Sequence, residues 1–282
     1  MNARTLLREV EGLEARSPSY RSEVPEDRVE FARRAGFDDL DGWQEEALRS
    51  DARRVMLNVS RQAGKSSLAA LMGLHTALSR PGALVLALSP SERQSKELFA
   101  KMAGFYRRLG EKIPADSHRK LGAEFANGSR IEALPGSERT VRGFSGVDLL
   151  LVDEAARTLD ELYQATRPML AASGGSLWLM STPYGKRGFF HREWTEGAGW
   201  RRFEMKAAEC PRISPEFLEE ERLALPARVY RQEYECSFEE TDDAVFAYED
   251  VAGAMSEEVA PLFGNPISGN PLFGNLAYGG AA

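Results

Sequence analysis

Apolar residues in this chain gather in short continuous runs, and the segments between the runs carry helical spacing. The run Val55-Met56-Leu57-Asn58-Val59 feeds a turn of small residues and then the helix-forming Leu68-Ala69-Ala70-Leu71, so it reads as strand, loop and helix. Residues 67–78 continue as a helix until Ser79-Arg80-Pro81-Gly82 ends it. Residues 83–88 are apolar throughout and stop at Ser89-Pro90, the pattern of a strand buried on both faces. A second helix is expected over 91–109, with Arg93, Lys96, Lys101, Arg107 and Arg108 on a solvated face. Residues 124–126 and 130–134 flank Asn127-Gly128, a hairpin signal. Further apolar strands are expected at 147–153 and 175–180, and Asp41 is placed to cap a helix starting near Trp43. Strands alternating with helices predict an α/β fold with a mostly parallel sheet and helices on both sides.

Chemistry concentrates where the first strand turns. Ser60-Arg61-Gln62-Ala63-Gly64-Lys65-Ser66-Ser67 has the strand, loop and helix context of a phosphate-binding Walker A loop. Loop amides and the positive end of the following helix would cradle the β- and γ-phosphates of ATP. Lys65 would neutralise them and the Ser66 hydroxyl would ligate Mg²⁺. The usual opening glycine is absent, since Val59 occupies its position. A plain strand-to-helix turn with a solvated lysine is the competing reading.

The strand at 147–153 ends in adjacent carboxylates, Asp153 and Glu154. There Asp153 can hold Mg²⁺ and Glu154 can polarise an attacking water, although acidic residues also favour helix N-termini for structural reasons. The next strand ends in Ser181-Thr182-Pro183. Ligands of parallel sheets bind at the strands' carboxyl ends, which sets Thr182 beside the γ-phosphate as a sensing hydroxyl; an ordinary turn is the alternative. Arg142, next to Gly143 and ahead of the acidic strand, is a candidate arginine finger or an exposed arginine with no special part. Arg139 is a weaker candidate, and Arg61 is the other cation able to reach the phosphates. Trp43-Gln44, upstream of the loop, reads as an adenine-recognition element, because a glutamine amide both donates and accepts; a core tryptophan beside a solvated glutamine is the alternative.

Composition narrows this picture. The 282 residues are 43% hydrophobic and 28% charged, enough apolar side chain for one large or two modest domains. A net charge of −7 argues against coating DNA by bulk charge and leaves a local basic patch open. Cys210 and Cys236 have no metal-type spacing and read as free thiols of a reducing compartment. No stretch reaches the length of a membrane span, and the charged N-terminus is no signal peptide. His75, His118 and His191 lack metal spacing. Lys186-Arg187 followed by Phe189, Phe190, His191 and Arg192 is a candidate DNA contact or a solvated loop with core aromatics.

Taken together, Trp43-Gln44, the deviant loop ending Gly64-Lys65-Ser66, residues 149–154, Val141-Arg142-Gly143-Phe144, Ser181-Thr182-Pro183 and the closing Arg231-Gln232-Glu233-Tyr234-Glu235-Cys236-Ser237-Phe238 resemble the ATPase part of a tailed-bacteriophage terminase large subunit. The resemblance spans roughly residues 30–250. It implies a three-layer P-loop NTPase of the RecA-like (ASCE) type, with a mostly parallel central sheet and a small helical lid. It also implies an ATP- and Mg²⁺-dependent motor that moves double-stranded DNA into a procapsid in the host cytoplasm. The partners implied are a portal protein, a small terminase subunit and other copies of the chain in a ring, a pentamer. Within it, Ser181-Thr182-Pro183 would couple hydrolysis to movement, Arg142 would act across a subunit boundary, and Arg61 would sense nucleotide within one subunit.

Four segments are expected: an N-terminal helical arm (1–40), the P-loop core (41–207), a helical lid (208–240) and a linker or low-complexity tail (241–282). In the lid, Ser214-Pro215 would start one helix and Pro226 another. The tail carries tandem pentads at 261–265, 266–270 and 271–275, which read as turns or linker. Too few residues follow position 246 for an independent nuclease domain, so no DNA cutting is expected of this chain. A helicase-like DNA-dependent ATPase and a nucleotide-switched assembly module that does not translocate remain alternatives.

Overall fold

A computed structural model describes residues 24–110, 115–119, 121–136, 141 and 143–240, with the backbone alone at 115–119. Arg139, Arg142, the side chain of His118, the first part of the N-terminal arm and the pentad tail lie outside what it describes.

The expected apolar runs are strands. In chain order they are β1 (Arg54–Val59), β2 (Leu84–Ser89), β6 (Leu149–Asp153) and β7 (Ser176–Ser181), each almost wholly buried. The Asn127-Gly128 turn joins β4 (Gly122–Phe125) to β5 (Arg130–Pro135) as an antiparallel pair. Two strands add to the expectation: β3 (Ala115–Arg119), antiparallel to β4, and β8 (Arg201–Met205), parallel to β1. All join one eight-stranded sheet in the order β3-β4-β5-β2-β6-β7-β1-β8. Every pair from β5 across to β8 is parallel.

Helices cover both faces because successive strand residues point to opposite sides. On one face Val55, Leu57, Trp178 and Met180 pack with α1 (Arg28–Arg34), α2 (Gly42–Arg49), α3 (Lys65–Ser79) and α4 (Glu92–Arg108). On the other, Met56, Leu177, Leu179, Leu150 and Val152 pack with residues of α5 (Asp160–Thr166) and α6 (Gly188–Thr195). The result is the three-layer, mostly parallel RecA-like arrangement. α1, capped by the Asp27 carboxylate on the Val29 and Glu30 amides, buries Val29, Phe31 and Ala32. This helix of the N-terminal segment is thus part of the core packing. Phe189 and Phe190 of α6 are buried in the second layer, which removes their rings from any role in stacking on bases.

After β8 come α7 (Pro215–Ala224) and α8 (Ala227–Tyr234). Ser214 caps α7 by accepting from the Phe217 amide, and Pro215 opens its first turn, where a missing N–H costs nothing. Leu218, Tyr234, Phe217, Leu225 and Tyr230 form a small apolar cluster of their own. Burial and a hydrogen bond to Glu221 push the Tyr234 hydroxyl up to about 12, so Tyr234 stays protonated and keeps the two helices joined. Both cysteines are buried and free, and no described helix is long and apolar enough to cross a membrane.

Candidate active site

Strand order decides what meets at the carboxyl end of the sheet. β7 lies between β6 and β1, so the ends of the acidic strand, the Thr182 strand and the loop strand are neighbours. Ligands of open parallel sheets bind at such an edge.

The loop is short and its shape depends on left-handed backbone. Gln62 has φ 61° and Gly64 φ 91°, after which α3 begins at Lys65. Val59 ends β1 fully buried and Ser60 donates its N–H to Met205 O at 3.0 Å. The position of the usual first glycine is therefore the last residue of a strand paired with β8, where a valine fits. At Gly64 only glycine fits. A Cβ there would stand 2.6 Å from Gln44 Nε2, in a backbone region costly for any other residue. Gly64→Ala is expected to destabilise the fold by roughly 1–3 kcal/mol, read as a lower urea midpoint at unchanged slope.

Gln44 is fully buried, not solvated. Its Nε2 donates to Ala63 O at 3.3 Å, which ties the loop to α2, and its Oε1 accepts from the Asp41 amide at 3.0 Å, which caps α2. Trp43 is half-buried and donates from Nε1 to Asp41 Oδ2 at 3.3 Å. The Asp41 carboxylate takes a forked pair from Arg212 at 2.9 and 2.7 Å, and Arg212 also reaches Ala63 O at 3.3 Å. A residue just ahead of α7 is thereby tied to the same loop carbonyl as Gln44.

Ser66 Oγ donates to Asp153 Oδ2 at 3.3 Å. Lys65, buried to 7% exposure, places Nζ 3.7 Å from Glu154 Oε1. The loop and the acidic strand, far apart in sequence, thus meet through the residues singled out on each. Burial, and next the neighbouring Glu154 charge, push the Asp153 carboxyl above its ordinary range, while Lys65 pulls it down. Glu154 sits in left-handed backbone at φ 51°. Non-glycine residues hold that conformation where the surroundings over-determine it, commonly at functional sites.

Sequence reading missed Arg157. It closes the short 3₁₀ turn after Glu154 (Ala155–Arg157) and bonds in three directions. Its Nη1 donates to Glu154 Oε2 at 2.9 Å and to Thr182 Oγ1 at 3.1 Å, and its Nη2 to Glu233 Oε1 at 2.8 Å. Thr182, almost fully buried, is therefore brought to the acidic pair through Arg157. Tyr184 lies under the guanidinium at 4.8 Å, a cation–π contact. Glu233, on α8 and 8% exposed, accepts from Arg61 Nε with its second oxygen at 2.8 Å, and its carbonyl accepts the Arg61 amide at 3.2 Å. The signal that could have found Arg157 was its spacing, three residues after Glu154 on a helical turn.

The residues present fit a magnesium nucleotide. Ser66 and Asp153 supply two hard oxygen donors at one point, and Mg²⁺ commonly takes few protein ligands and keeps waters. Lys65 is a buried cation at the start of a helix, where anions bind. Ser60 Oγ is buried without a hydrogen-bond partner.

Comparison with known proteins bears on the same region. The family description "Terminase large subunit, T4likevirus-type, N-terminal" matches residues 56–252. The terminase large subunit of Thermus virus P23-45 is 27% identical over 235 residues, covering 71% of this chain and 48% of the relative. That of Escherichia phage T5 is 25% identical over 202 residues, covering 69% and 46%. The chain spans about half the length of these curated relatives. Among solved structures, the Thermus phage P74-26 large terminase ATPase domain superposes with TM-score 0.66 at 22% identity, over 74% of this chain and 97% of that one. The large terminase of a thermophilic bacteriophage in complex with ADP gives TM-score 0.57 at 12% identity, over 76% and 53%. At these identities the likeness concerns the fold.

Proposed function

This chain belongs to the terminase large-subunit family, and from that premise we propose that it is the ATP-hydrolysing part of a viral DNA-packaging motor that translocates double-stranded DNA into a procapsid. The observation that carries this reading is the meeting of Ser66 with Asp153 and of Lys65 with Glu154 at the carboxyl end of the sheet. When bound, Mg²⁺ draws negative charge off the β- and γ-phosphate oxygens. Ser66 and Asp153 would hold the ion, and the amides of residues 62–66 with Lys65 would hold the phosphates. Glu154 takes the proton of the attacking water. Trp43 packs beside the site, and Gln44 sets the loop's position.

In the ring, Arg142 reaches the phosphates of a neighbouring copy, Arg61 serves its own, and Thr182 reports the γ-phosphate through Arg157. The partners are a portal protein and a small terminase subunit, with five copies in the ring, in the host cytoplasm. Local positive charge for DNA is available at the opposite end of the sheet. A cavity of about 640 Å³ there is lined by Arg53, Arg54 and Arg167 with no carboxylate among its described lining, and phosphate backbones are drawn to such surfaces.

The test is ATP hydrolysis with and without linear duplex DNA, in wild type and in mixtures with Arg142→Ala. DNA is expected to raise the rate, and doping with the variant to lower it more steeply than the fraction of wild type lost. A DNA-indifferent rate that falls in proportion to doping would remove both the translocase and the trans-acting arginine. A second reading draws on Glu154, whose carboxylate is engaged by both Lys65 and Arg157. A nucleotide-switched assembly module could rest with its carboxylate held this way, and it would bind ATP with negligible turnover.

A further inference from the structure

Three cations and three carboxylates meet around the loop, and one of the cations joins the others' partners. Lys65 contacts Glu154, Arg61 contacts Glu233, and Arg157 contacts both carboxylates through different nitrogens. Asp153 completes the set through Ser66. Glu154 follows β6, Thr182 follows β7, Arg61 lies in the loop and Glu233 on lid helix α8. The Arg157 guanidinium is the point where the 3₁₀ turn, the β7 loop and the lid are hydrogen-bonded together.

We propose that Arg157 is a positioning residue that links the position of the Glu154 carboxylate to the position of the lid through Glu233. The inference rests on the nucleotide-hydrolysing reading of this site and assigns within it a residue that the motifs do not contain. The argument is one of competing charges. Lys65 and Arg61 are the cations placed to serve phosphates. When they do so, they leave Glu154 and Glu233, and Arg157 becomes the cation that both carboxylates share. Lid position and carboxylate position then depend on a single planar fork. When the phosphates leave, Lys65 and Arg61 return to the carboxylates, and the demand on Arg157 relaxes. A lysine could not do the same, because a compact ammonium does not present two parallel donor pairs held in one plane. The cation–π face of Tyr184 and the Thr182 hydroxyl fix that plane.

The experiment uses the full chain with Arg157→Lys, Arg157→Ala and Glu233→Gln. Amide hydrogen exchange of residues 227–234 is followed in the nucleotide-free protein and with ATPγS, beside nucleotide affinity and turnover. Arg157→Lys is expected to melt near wild type and bind nucleotide within about threefold. It should lose the nucleotide-dependent protection of α8, and its turnover should fall roughly 10- to 100-fold, as for a misplaced catalytic group. Glu233→Gln should lose the same protection while leaving Glu154 and Arg157 in contact, with a smaller fall in turnover. Arg157→Ala should match or exceed Arg157→Lys; if it does not fold, the other two variants still decide. Wild-type protection and turnover in Arg157→Lys would overturn the proposal. So would loss of nucleotide affinity in parallel with turnover at unchanged α8 protection, since a purely local structural role predicts that. Failure of the hydrolytic reading itself looks different: wild type would then show no turnover above the Glu154→Gln background, while exchange in the nucleotide-free protein would still report whether Arg157 holds α8.

Discussion

Glu154→Gln is expected to lower ATP turnover by roughly 10²–10⁴-fold and to leave nucleotide binding within about threefold of wild type or tighter. Glutamine keeps the size and one acceptor oxygen of the side chain, so the contact with Arg157 survives in part. It cannot take a proton from water. The binding half of the prediction follows from Asp153. Glu154 is the second cause, after burial, of that carboxyl's upward shift. Removing its charge makes Asp153 easier to ionise and a better ligand for a divalent cation. Equilibrium binding of a fluorescent ATP analogue, set beside phosphate release, separates the two effects. A variant that binds poorly would show that Glu154 serves the fold of the site more than its chemistry.

Lys65→Ala should damage both steps. The ammonium is buried and lies against Glu154, so its loss leaves Glu154 with Arg157 as its cation and raises the cost of ionising Asp153. Truncating one partner of a buried charge pair across a binding interface, here the ammonium and the phosphates, costs about 2–5 kcal/mol, which corresponds to nucleotide binding weaker by roughly 30- to 5000-fold. Turnover should fall at least as far, because phosphate charge in the transition state is served by the same cation. Isothermal titration with ATPγS reads the first effect. Binding within a few-fold of wild type would place the phosphates away from Lys65 and return the loop to an ordinary strand-to-helix turn. Lys65→Arg helps to distinguish charge from shape, since it keeps the cation and changes the reach.

Several of these residues were legible from local pattern alone. β1, its loop and α3 announce themselves through an apolar run, small residues and helix formers, and β6 through an apolar run ending in two acids. Both signals are local, and so is the hairpin at Asn127-Gly128. Their joining at Ser66 and Asp153 was inferable from motif order, because parallel strands share one functional edge. β8 was not. Arg201-Arg202-Phe203-Glu204-Met205 is a polar stretch whose strand character comes from pairing with β1, a tertiary effect that local propensity does not carry. The solvated alternative for Gln44 fails for a similar reason: a glutamine among charged residues reads as solvated, and its bonds to Ala63 O and the Asp41 amide turn it inward. Arg157 and Glu233 are the clearest case. Each is an ordinary charged residue on a short turn or helix, and their importance lies in meeting one another across the fold. Arg142 stood out by its neighbours Val141, Gly143 and Phe144, and it lies outside the described residues.

The central claim is that the carboxyl end of this sheet hydrolyses ATP with Glu154 as the base. The direct measurement is ADP formed per chain at saturating ATP and Mg²⁺ with linear duplex DNA, for wild type beside Glu154→Gln and for wild type with the metal chelated. The account predicts repeated turnover in wild type, with both the variant and the chelated sample at background. Tight ATP binding with wild-type turnover no higher than the Glu154→Gln background would contradict it and favour a nucleotide-held switch.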